Sequence, residues 1–307
     1  MKILLTGASS FTGYWFAKKL VEAGHTITAP LRGSTDDENS TPRAKRVKNL
    51  SKISEIIPAC SFGSDKFIDL INSEDFDVLC HHAAEVKDYK SPEFDINAAV
   101  SSNTKNARDV LRLMTNRGLQ SCVLTGSVFE NDEGCGNLPL KAFSAYGVSK
   151  AITAQIFRFY CDDLQIKHGK FVIPNPFGPL EEPRLGAYLA KTWKANNVAE
   201  INTPDYIRDN IHVDLLADVY VNFIQNSITF STYVKINPSG YVESQGSFVM
   251  RLSREIGKRT GRECRVSLLK QKDFNEPIMR VNNNAASQIL QGWNESASWD
   301  AYATEYI

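Results

Sequence analysis

Short apolar runs alternate with helix-period segments through the first two thirds of the chain. Buried strands are predicted at residues 3–5, 26–31, 77–80, 121–124 and 170–173. Helices are predicted at residues 14–23, 103–117 and 146–164. Strands that alternate with helices form βαβ units, so the pattern predicts an α/β fold: a doubly wound, Rossmann-type parallel sheet with helices on both faces.

The pattern changes after Pro174, where prolines divide the chain into shorter elements (positions 174, 176, 179, 183, 204, 238 and 277). We therefore expect a dinucleotide-binding domain over residues 1–174 with returning segments near 205–240. A smaller C-terminal lobe, interleaved with the last sheet strands, is expected over most of residues 175–307. A polar stretch at residues 34–52 is predicted to be a loop that runs into an exposed helix.

Charge and composition narrow the function classes. The 307 residues include 35 Lys and Arg against 35 Asp and Glu, and 42% are apolar. Zero net charge argues against nucleic-acid or membrane-surface partners, and no apolar run reaches the roughly 18–20 residues of a membrane span. The six cysteines are scattered, without metal-ligand spacing. We expect reduced thiols, no metal and a cytoplasmic location.

A glycine turn follows the first predicted strand. In the segment Thr6–Gly13, Gly7 permits a tight turn and Gly13 allows the next helix to pack against the strand, while Ser10 stands where a middle glycine is usual. The N–H groups at the start of that helix would face a pyrophosphate. The residues expected to hold a dinucleotide here are Gly7, Ser10, Phe11, Thr12 and Gly13.

The end of the second strand bears on the choice between NAD and NADP. Leu31 occupies the position at which an acidic residue would bind the ribose of NAD, and Arg32 follows it. A guanidinium favours the 2′-phosphate of NADP, so the sequence leans toward NADP. The alternative is that Arg32 is a solvated surface residue.

Tyr146 and Lys150 are four residues apart and would share one face of a helix. An ammonium close to the phenol would lower the pKa of the tyrosine, so that Tyr146 could exchange a proton with a carbinol. The strand at residues 121–124 delivers two hydroxyls, from Thr125 and Ser127, to the end of the sheet where α/β proteins bind ligands. Either hydroxyl could bind the reacting oxygen, or both could serve turns and caps.

Taken in order, these motifs resemble the extended short-chain dehydrogenase/reductase superfamily, and in particular the NAD-dependent epimerase/dehydratase family that acts on nucleotide sugars. The resemblance covers essentially the whole chain. Its further markers are His82-Ala83-Ala84, Asn103, Asn175-Pro176-Phe177-Gly178-Pro179 and Arg208-Asp209-Asn210-Ile211-His212-Val213-Asp214.

The resemblance implies a role for each matching position. Tyr146 would be the acid/base, Lys150 would hold the nicotinamide ribose, and Thr125, three residues before the triplet Val128-Phe129-Glu130, would supply the hydroxyl, with Ser127 as the fallback. The cofactor would also be lined by Ala83, Ala84, Asn103 and Pro174. Asn175, Arg208 and Lys272 would bind the sugar diphosphate. For His81, His82 and His212 we expect packing and hydrogen bonding.

The resemblance leaves the reaction open between two chemistries. Sugar 4,6-dehydratases of this family carry Asp-Glu after the strand-five threonine, where this chain has Gly126 and Ser127, so dehydration is disfavoured. A 4-epimerase with a retained cofactor and a 4-keto reductase that uses NADPH both remain. The chain could instead be a reductase of a non-nucleotide carbonyl or a non-catalytic dinucleotide-binding regulator. A homodimer is expected by resemblance.

Overall fold

The computed structural model describes residues 1–33, 41–136, 140–231 and 233–306. Its strands are β1 (Lys2–Thr6), β2 (Thr26–Pro30), β3 (Glu55–Ile57), β4 (Val78–His81), β5 (Ser121–Ser127), β6 (Lys167–Ile173), β7 (Asn175–Phe177), β8 (Ala199–Ile201), β9 (Ile207–His212), β10 (Val234–Ile236), β11 (Pro238–Ser239), β12 (Tyr241–Ser244), β13 (Val266–Leu268) and β14 (Asn284–Ala285).

The helices are α1 (Phe11–Glu22), α2 (Pro42–Leu50), α3 (Asp65–Ser73), α4 (Ile96–Asn103), α5 (Ala107–Asn116), α6 (Ala145–Asp163), α7 (Leu185–Lys194), α8 (Val213–Ser227), α9 (Gln245–Thr260), α10 (Ala286–Ile289) and α11 (Glu295–Ala303). A short 3₁₀ turn, Thr304–Tyr306, follows α11.

A seven-stranded parallel sheet forms the centre of the molecule, in the order β10-β6-β5-β4-β1-β2-β3. This confirms the predicted doubly wound α/β fold. The strand order reverses between β1 and β4, and a cleft opens outside the carboxyl ends of strands at such a switch point. The ends of β1, β4 and β5 therefore meet at one place.

Hydrophobic cores lie on both faces of this sheet. On one face α1 and α8 pack through Phe16, which stacks on Tyr220 with ring centroids 3.9 Å apart. On the other face α3, α5 and α6 bury side chains such as Phe67, Leu111 and Phe157. Helices on both faces leave only the strand ends open to a ligand.

A third hydrophobic cluster lies outside the large sheet. It is centred on Phe177, Trp193 and Trp299 and joins α7, α9 and α11 to the small sheet β12-β9-β7. The cluster lies within the part of the chain for which the prolines predicted a smaller C-terminal lobe. The domain boundaries at residue 174 and near 205–240 stay a prediction.

Two local predictions were wrong, and the set of predicted strands was incomplete. The helix predicted at 103–117 is divided in two. Helix α4 ends at Asn103, and Asn106, with a left-handed φ of 53°, is the N-cap of α5. The short strands β3 and β10 extend the sheet beyond the predicted set. Helix α2 is not fully exposed, since Arg46, Val47 and Leu50 are buried. Residues 34–40 of the predicted loop lie outside the described residues.

Two further observations concern the whole described chain. Within it, no helix combines the length and the hydropathy that crossing a bilayer requires. The six cysteines are free thiols; Cys135 is exposed and the other five are buried.

Candidate active site

The glycine turn is held by close backbone contacts. Gly7 has a φ of 73°, and a Cβ there would lie 2.8 Å from the Ala83 nitrogen. A Cβ on Gly13 would lie 2.3 Å from the Gly7 oxygen. Ser10 is the N-cap of α1, with its Oγ accepting from the Gly13 N–H at 3.1 Å. A serine therefore suits the middle position because it caps the helix.

Two neutral histidines brace this turn from the end of β4. Thr6 Oγ1 accepts from the backbone N–H groups of His82 and Ala83 at 3.1 and 3.0 Å, and lies 3.1 Å from His81 Nδ1. His82 Nε2 lies 2.9 Å from Ser10 Oγ and 3.1 Å from Thr12 Oγ1. Burial lowers the pKa of both imidazoles to about 3. The two side chains thus pack and hydrogen-bond as predicted.

The predicted acid/base pair lies at the start of α6. Ser144 caps this helix with its Oγ 3.4 Å from the Gly147 nitrogen, so Tyr146 falls in the first turn and Lys150 one turn later. Lys150 Nζ donates to the Thr125 carbonyl oxygen at 2.6 Å. Gly147 lies against the backbone of Phe129, since a Cβ there would be 2.1 Å from the Phe129 oxygen. The helix is thereby fixed against the turn that follows β5.

The charge states of the pair differ from the expectation. Burial, and after it the Glu130 carboxylate, raises the pKa of Tyr146 above its ordinary value. The pKa of the phenol is therefore not lowered by Lys150, whose ammonium is directed to the Thr125 carbonyl. Burial lowers the pKa of Lys150 to about 8. A desolvated lysine close to its titration midpoint is typical of an active site.

The two candidate hydroxyls have different surroundings. Thr125 Oγ1 is buried near the Tyr220 hydroxyl, and no hydrogen bond of normal geometry reaches it from the described residues. Ser127 is half-buried, and its Oγ accepts from the Phe129 N–H at 3.2 Å. Both residues line the cleft, so the choice between them stays a prediction.

A cleft of about 670 Å³ joins these groups. Eleven of the predicted cofactor and catalytic residues line it: Gly7, Ser10, Thr12, Arg32, Ala83, Ala84, Asn103, Thr125, Ser127, Tyr146 and Lys150. Phe11, Gly13 and Pro174 do not line it; Ile173 and Pro176 do so on either side of Pro174. Asn103 is held by its own contacts, with its Oδ1 accepting from the Glu85 N–H at 2.8 Å and its Nδ2 donating to Thr153 Oγ1 at 3.3 Å.

Arginines surround the end of the cleft beyond β2. Arg32 is exposed at the rim and pairs with Glu85, with the guanidinium 2.6 Å from the carboxylate. Arg43 and Arg46 line the same end. The Arg46 side chain is 1% exposed and donates to the carbonyls of Ser9 and Leu180 at 3.0 and 2.7 Å, and to Glu182. Sequence reasoning missed Arg46, because a charged helix gave no sign that one of its arginines is buried.

The three predicted sugar-diphosphate residues are Asn175, Arg208 and Lys272. Arg208 donates to Glu276 Oε2 at 2.7 Å and to the carbonyl oxygens of Ile207 and Pro277 at 3.0 and 3.1 Å. The Asn175 Nδ2 is buried without a hydrogen bond among the described residues, and Lys272 is exposed. None of these three lines the cleft. Their predicted role in binding substrate stays a prediction.

His212 is buried and, like His81 and His82, hydrogen-bonded. His212 Nδ1 accepts from the Asp214 N–H at 3.2 Å, and burial lowers the pKa of its imidazole to about 4. Its ring packs edge-on against Phe177, in agreement with the predicted packing role. Over the described ranges, no three His, Cys, Asp or Glu side chains are grouped so as to hold a metal ion.

The chain is similar to a known protein family and to several proteins of known structure. The model of the NAD dependent epimerase/dehydratase family matches residues 3–234. A putative UDP-glucose 4-epimerase of Methanocaldococcus jannaschii is 23% identical over 226 residues, covering 69% of each chain. A UDP-glucuronic acid 4-epimerase from Bacillus cereus, solved with UDP-glucuronic acid and NAD, has a TM-score of 0.75 at 20% identity, covering 100% of this chain and 99% of that one.

A UDP-glucose 4-epimerase of Thermotoga maritima, solved with UDP-glucose, has a TM-score of 0.72 at 15% identity, covering 100% of this chain and 98% of that one. At these identities the solved structures share the fold. The family match spans both the glycine turn and the Tyr146–Lys150 pair. This chain belongs to the NAD dependent epimerase/dehydratase family.

Proposed function

We propose that this protein is a nicotinamide-dependent 4-epimerase of UDP-sugars. The observation that carries the proposal is that Tyr146, Lys150 and two hydroxyl residues share one cleft with the glycine turn at the switch point of the sheet. The relatives named above, which act on or bind UDP-sugars, support the substrate class. The Bacillus cereus epimerase was solved with NAD, which supports NAD as the kind of cofactor.

The residues present fit a dinucleotide. The lack of a side chain at Gly7 leaves the backbone of the turn close to Ala83, and the N-terminus of α1 opens toward the cleft through Ser9, Ser10 and Thr12. Peptide N–H groups at a helix N-terminus suit a pyrophosphate. His82 Nδ1 is buried beside this turn without a partner among the described residues, which is consistent with a polar group that a ligand would satisfy.

The proposed chemistry needs a proton exchange and a reversible hydride transfer. The glycine turn would hold the dinucleotide, which when bound would supply reversible hydride transfer at C4 of the sugar. Tyr146 would take the proton of the 4-hydroxyl as C4 becomes a ketone, and would give it back as the hydride returns. Thr125 or Ser127 would donate a hydrogen bond to the 4-oxygen. Lys150, whose Nζ donates to the Thr125 carbonyl oxygen at 2.6 Å, would have to turn toward the phenol to stabilise its phenolate.

The 4-keto reductase alternative depends on NADPH, and therefore on Arg32. The Arg32 guanidinium is engaged by Glu85 at the rim, so a 2′-phosphate would have to compete with that carboxylate. We accordingly put the epimerase first. Dehydration stays disfavoured because Gly126 and Ser127 offer no carboxylic acid at those positions.

A homodimer through the helices on the α6 side is part of the same proposal. Helix α6 exposes Phe159 and Ile152, with 66% and 37% of their surface accessible, and α4 packs on the same helix. Light scattering on the purified protein tests the dimer, and a monomer at micromolar concentration would contradict it.

The function is tested by supplying NAD⁺ and a panel of UDP-hexoses, UDP-hexuronic acids and UDP-N-acetylhexosamines, with the products separated by anion-exchange chromatography. We expect the C4 epimer of at least one sugar. Analysis of the nucleotide released from denatured protein separates the two chemistries. Retained NAD⁺ supports the epimerase, and turnover only with NADPH and a 4-keto sugar supports the reductase.

A further inference from the structure

Glu130 is a fully buried carboxylate directly behind the candidate active site. It belongs to the triplet Val128-Phe129-Glu130 that follows Ser127, and its side chain is 0% exposed. A buried carboxylate is costly unless it is paired and hydrogen-bonded. The groups that pair with the Glu130 carboxylate therefore show how its charge is stabilised.

Both carboxylate oxygens of Glu130 are engaged by groups next to the site. Oε1 accepts from the backbone N–H of Ser127 at 2.7 Å. Oε2 accepts from Lys170 Nζ, on the neighbouring strand β6, at 2.5 Å. One oxygen thus fixes the turn that carries a candidate catalytic hydroxyl, and the other holds a buried cation.

Gly126 leaves room for this pair. A Cβ at Gly126 would lie 2.5 Å from Lys170 Cε and 3.1 Å from Glu130 Oε1. The Glu130–Lys170 pair therefore occupies the side-chain space of position 126, where the resemblance places an acid in sugar dehydratases. A side chain at position 126 would therefore have to displace Lys170 or Glu130.

A second buried carboxylate, that of Glu133, shares the same lysine. Glu133 Oε1 accepts from Lys170 Nζ at 2.7 Å, and its Oε2 accepts from Lys235 Nζ and Asn237 Nδ2, each at 3.0 Å. Glu133 is also buried, at 5% exposure. It makes the same kind of ion pair as Glu130 without a contact to Ser127.

The groups that face Lys150 come from several elements. Tyr146 lies one turn earlier on α6, Lys170 faces it from β6, and His81 and His82 face it from the end of β4. Both imidazoles are uncharged near neutral pH, because burial lowers their pKa values to about 3.

Glu130 supplies the opposing charge in these surroundings. After burial, which lowers the pKa of Lys150, the Glu130 carboxylate raises that pKa and Lys170 lowers it to a smaller extent. The same carboxylate raises the pKa of Tyr146. The two charged groups also hold the same strand end, because Lys150 Nζ donates to the Thr125 carbonyl oxygen at 2.6 Å and Glu130 Oε1 accepts from the Ser127 N–H, two residues later, at 2.7 Å.

We propose that Glu130 is a positioning residue of the Tyr146–Lys150 site. Its carboxylate holds the Ser127 turn and, through its pairing with Lys170, keeps a negative charge within electrostatic reach of the buried Lys150 ammonium. The inference rests on the proposed function, since it assigns Glu130 to that same site. Glu130 does not line the cleft, so it acts through Ser127 and Lys150 and not on a substrate.

The test is an NMR titration of ¹³C-labelled lysine side chains in the protein without dinucleotide or substrate, with the Lys150 signal identified by its loss in Lys150→Arg. In Glu130→Gln, which keeps the shape and the acceptor for Ser127, the Lys150 midpoint should move about one pH unit lower. Glu133→Gln, which also removes a carboxylate from Lys170, should leave that midpoint in place. Equal midpoints in the two variants, or no shift in Glu130→Gln, would overturn the proposal.

A second variant covers the case in which Glu130→Gln does not fold. Glu130→Gln combined with Lys170→Met removes both charges, so no unpaired buried ion remains. The Lys150 midpoint should again fall, by less than in the single variant, and an unchanged or higher midpoint would overturn the proposal. Because the titration needs no turnover, an inactive wild-type protein with the expected shifts would contradict the proposed function alone.

Discussion

The region of the glycine turn and the region of Arg208 differ in how their polar groups are engaged. In the first region His82 hydrogen-bonds to Ser10 of the glycine turn, Asn103 accepts from the Glu85 N–H, and the backbone approaches too closely for any side chain at Gly7. In the second region, which is proposed to bind the substrate, Arg208 is paired with Glu276 and does not line the cleft. Under the proposed function, the first region already has the contacts that a dinucleotide site needs, whereas Arg208 would have to leave Glu276 to bind a diphosphate. This difference can be tested residue by residue.

The largest effect is expected at the acid/base. Tyr146→Phe removes the proton-exchanging hydroxyl and should lower kcat by about 10²- to 10⁴-fold. Dinucleotide affinity should be nearly unchanged, because the turn that would hold the pyrophosphate lies on other elements. Steady-state kinetics and isothermal titration calorimetry measure the two quantities.

Tyr160→Phe is the matched control for that variant, since it makes the same change on the same helix outside the cleft. It should retain wild-type kcat. If Tyr146→Phe also kept its activity, Tyr146 would not be the acid/base.

The next effect concerns the region of the glycine turn. Gly7→Ala places a Cβ 2.8 Å from the Ala83 nitrogen at a φ of 73°. We expect a loss of about 2–4 kcal/mol in the free energy of unfolding, together with weakened dinucleotide binding. Urea denaturation and a binding titration check the two effects.

Gly24→Ala separates backbone strain from the close approach. Gly24 has a φ of 85°, but no described atom would lie within 4 Å of a Cβ at this position, so the cost there should be about 1 kcal/mol with binding intact. Equal losses of stability and binding in both variants would show that the contact with Ala83 is irrelevant.

A smaller effect is expected in the region of Arg208. If Arg208 leaves Glu276 to bind a diphosphate, Arg208→Gln should raise KM for the UDP-sugar by about tenfold, with kcat changed less. Arg251→Gln is the control, because Arg251 likewise pairs with a glutamate, Glu243, and lies over a tyrosine ring. An unchanged KM in Arg208→Gln would remove Arg208 from the substrate site.

The smallest effect is expected at the exposed rim. Arg32→Ala should weaken NADPH relative to NADH by a few fold if Arg32 contacts the 2′-phosphate, since an exposed charge pair contributes about 1 kcal/mol or less. Competition titrations of the two dinucleotides measure the ratio. A ratio that does not change identifies Arg32 as the solvated residue of the alternative interpretation.

The sequence predicted those features that depend on local pattern. Five strands and the helices α1 and α6 follow from hydrophobic periodicity, and the close approach at Gly7 follows from a glycine turn between a strand and a helix. The break at Asn106 was not predictable, because it depends on a left-handed backbone at one polar residue.

The pairing of buried charged side chains also could not be predicted from the sequence. Arg46 and Glu130 resemble surface residues in a sequence, and Lys170 begins a predicted buried strand, but only the fold shows which groups each of them pairs with. The position of Arg208 was unpredictable for the same reason, since Glu276 lies far along the chain. Long-range pairing therefore limits how much of the site can be predicted from the sequence.

The proposed mechanism requires that Tyr146 and a bound dinucleotide invert C4 of a UDP-sugar by removing and returning the same hydride. ¹H NMR of the reaction in D₂O, with NAD⁺ and the UDP-sugar that is turned over, follows that hydride. We expect a C4 epimer that retains protium at C4, and no product from Tyr146→Phe. Deuterium at C4 of the product, or no epimer from any UDP-sugar, would contradict the mechanism.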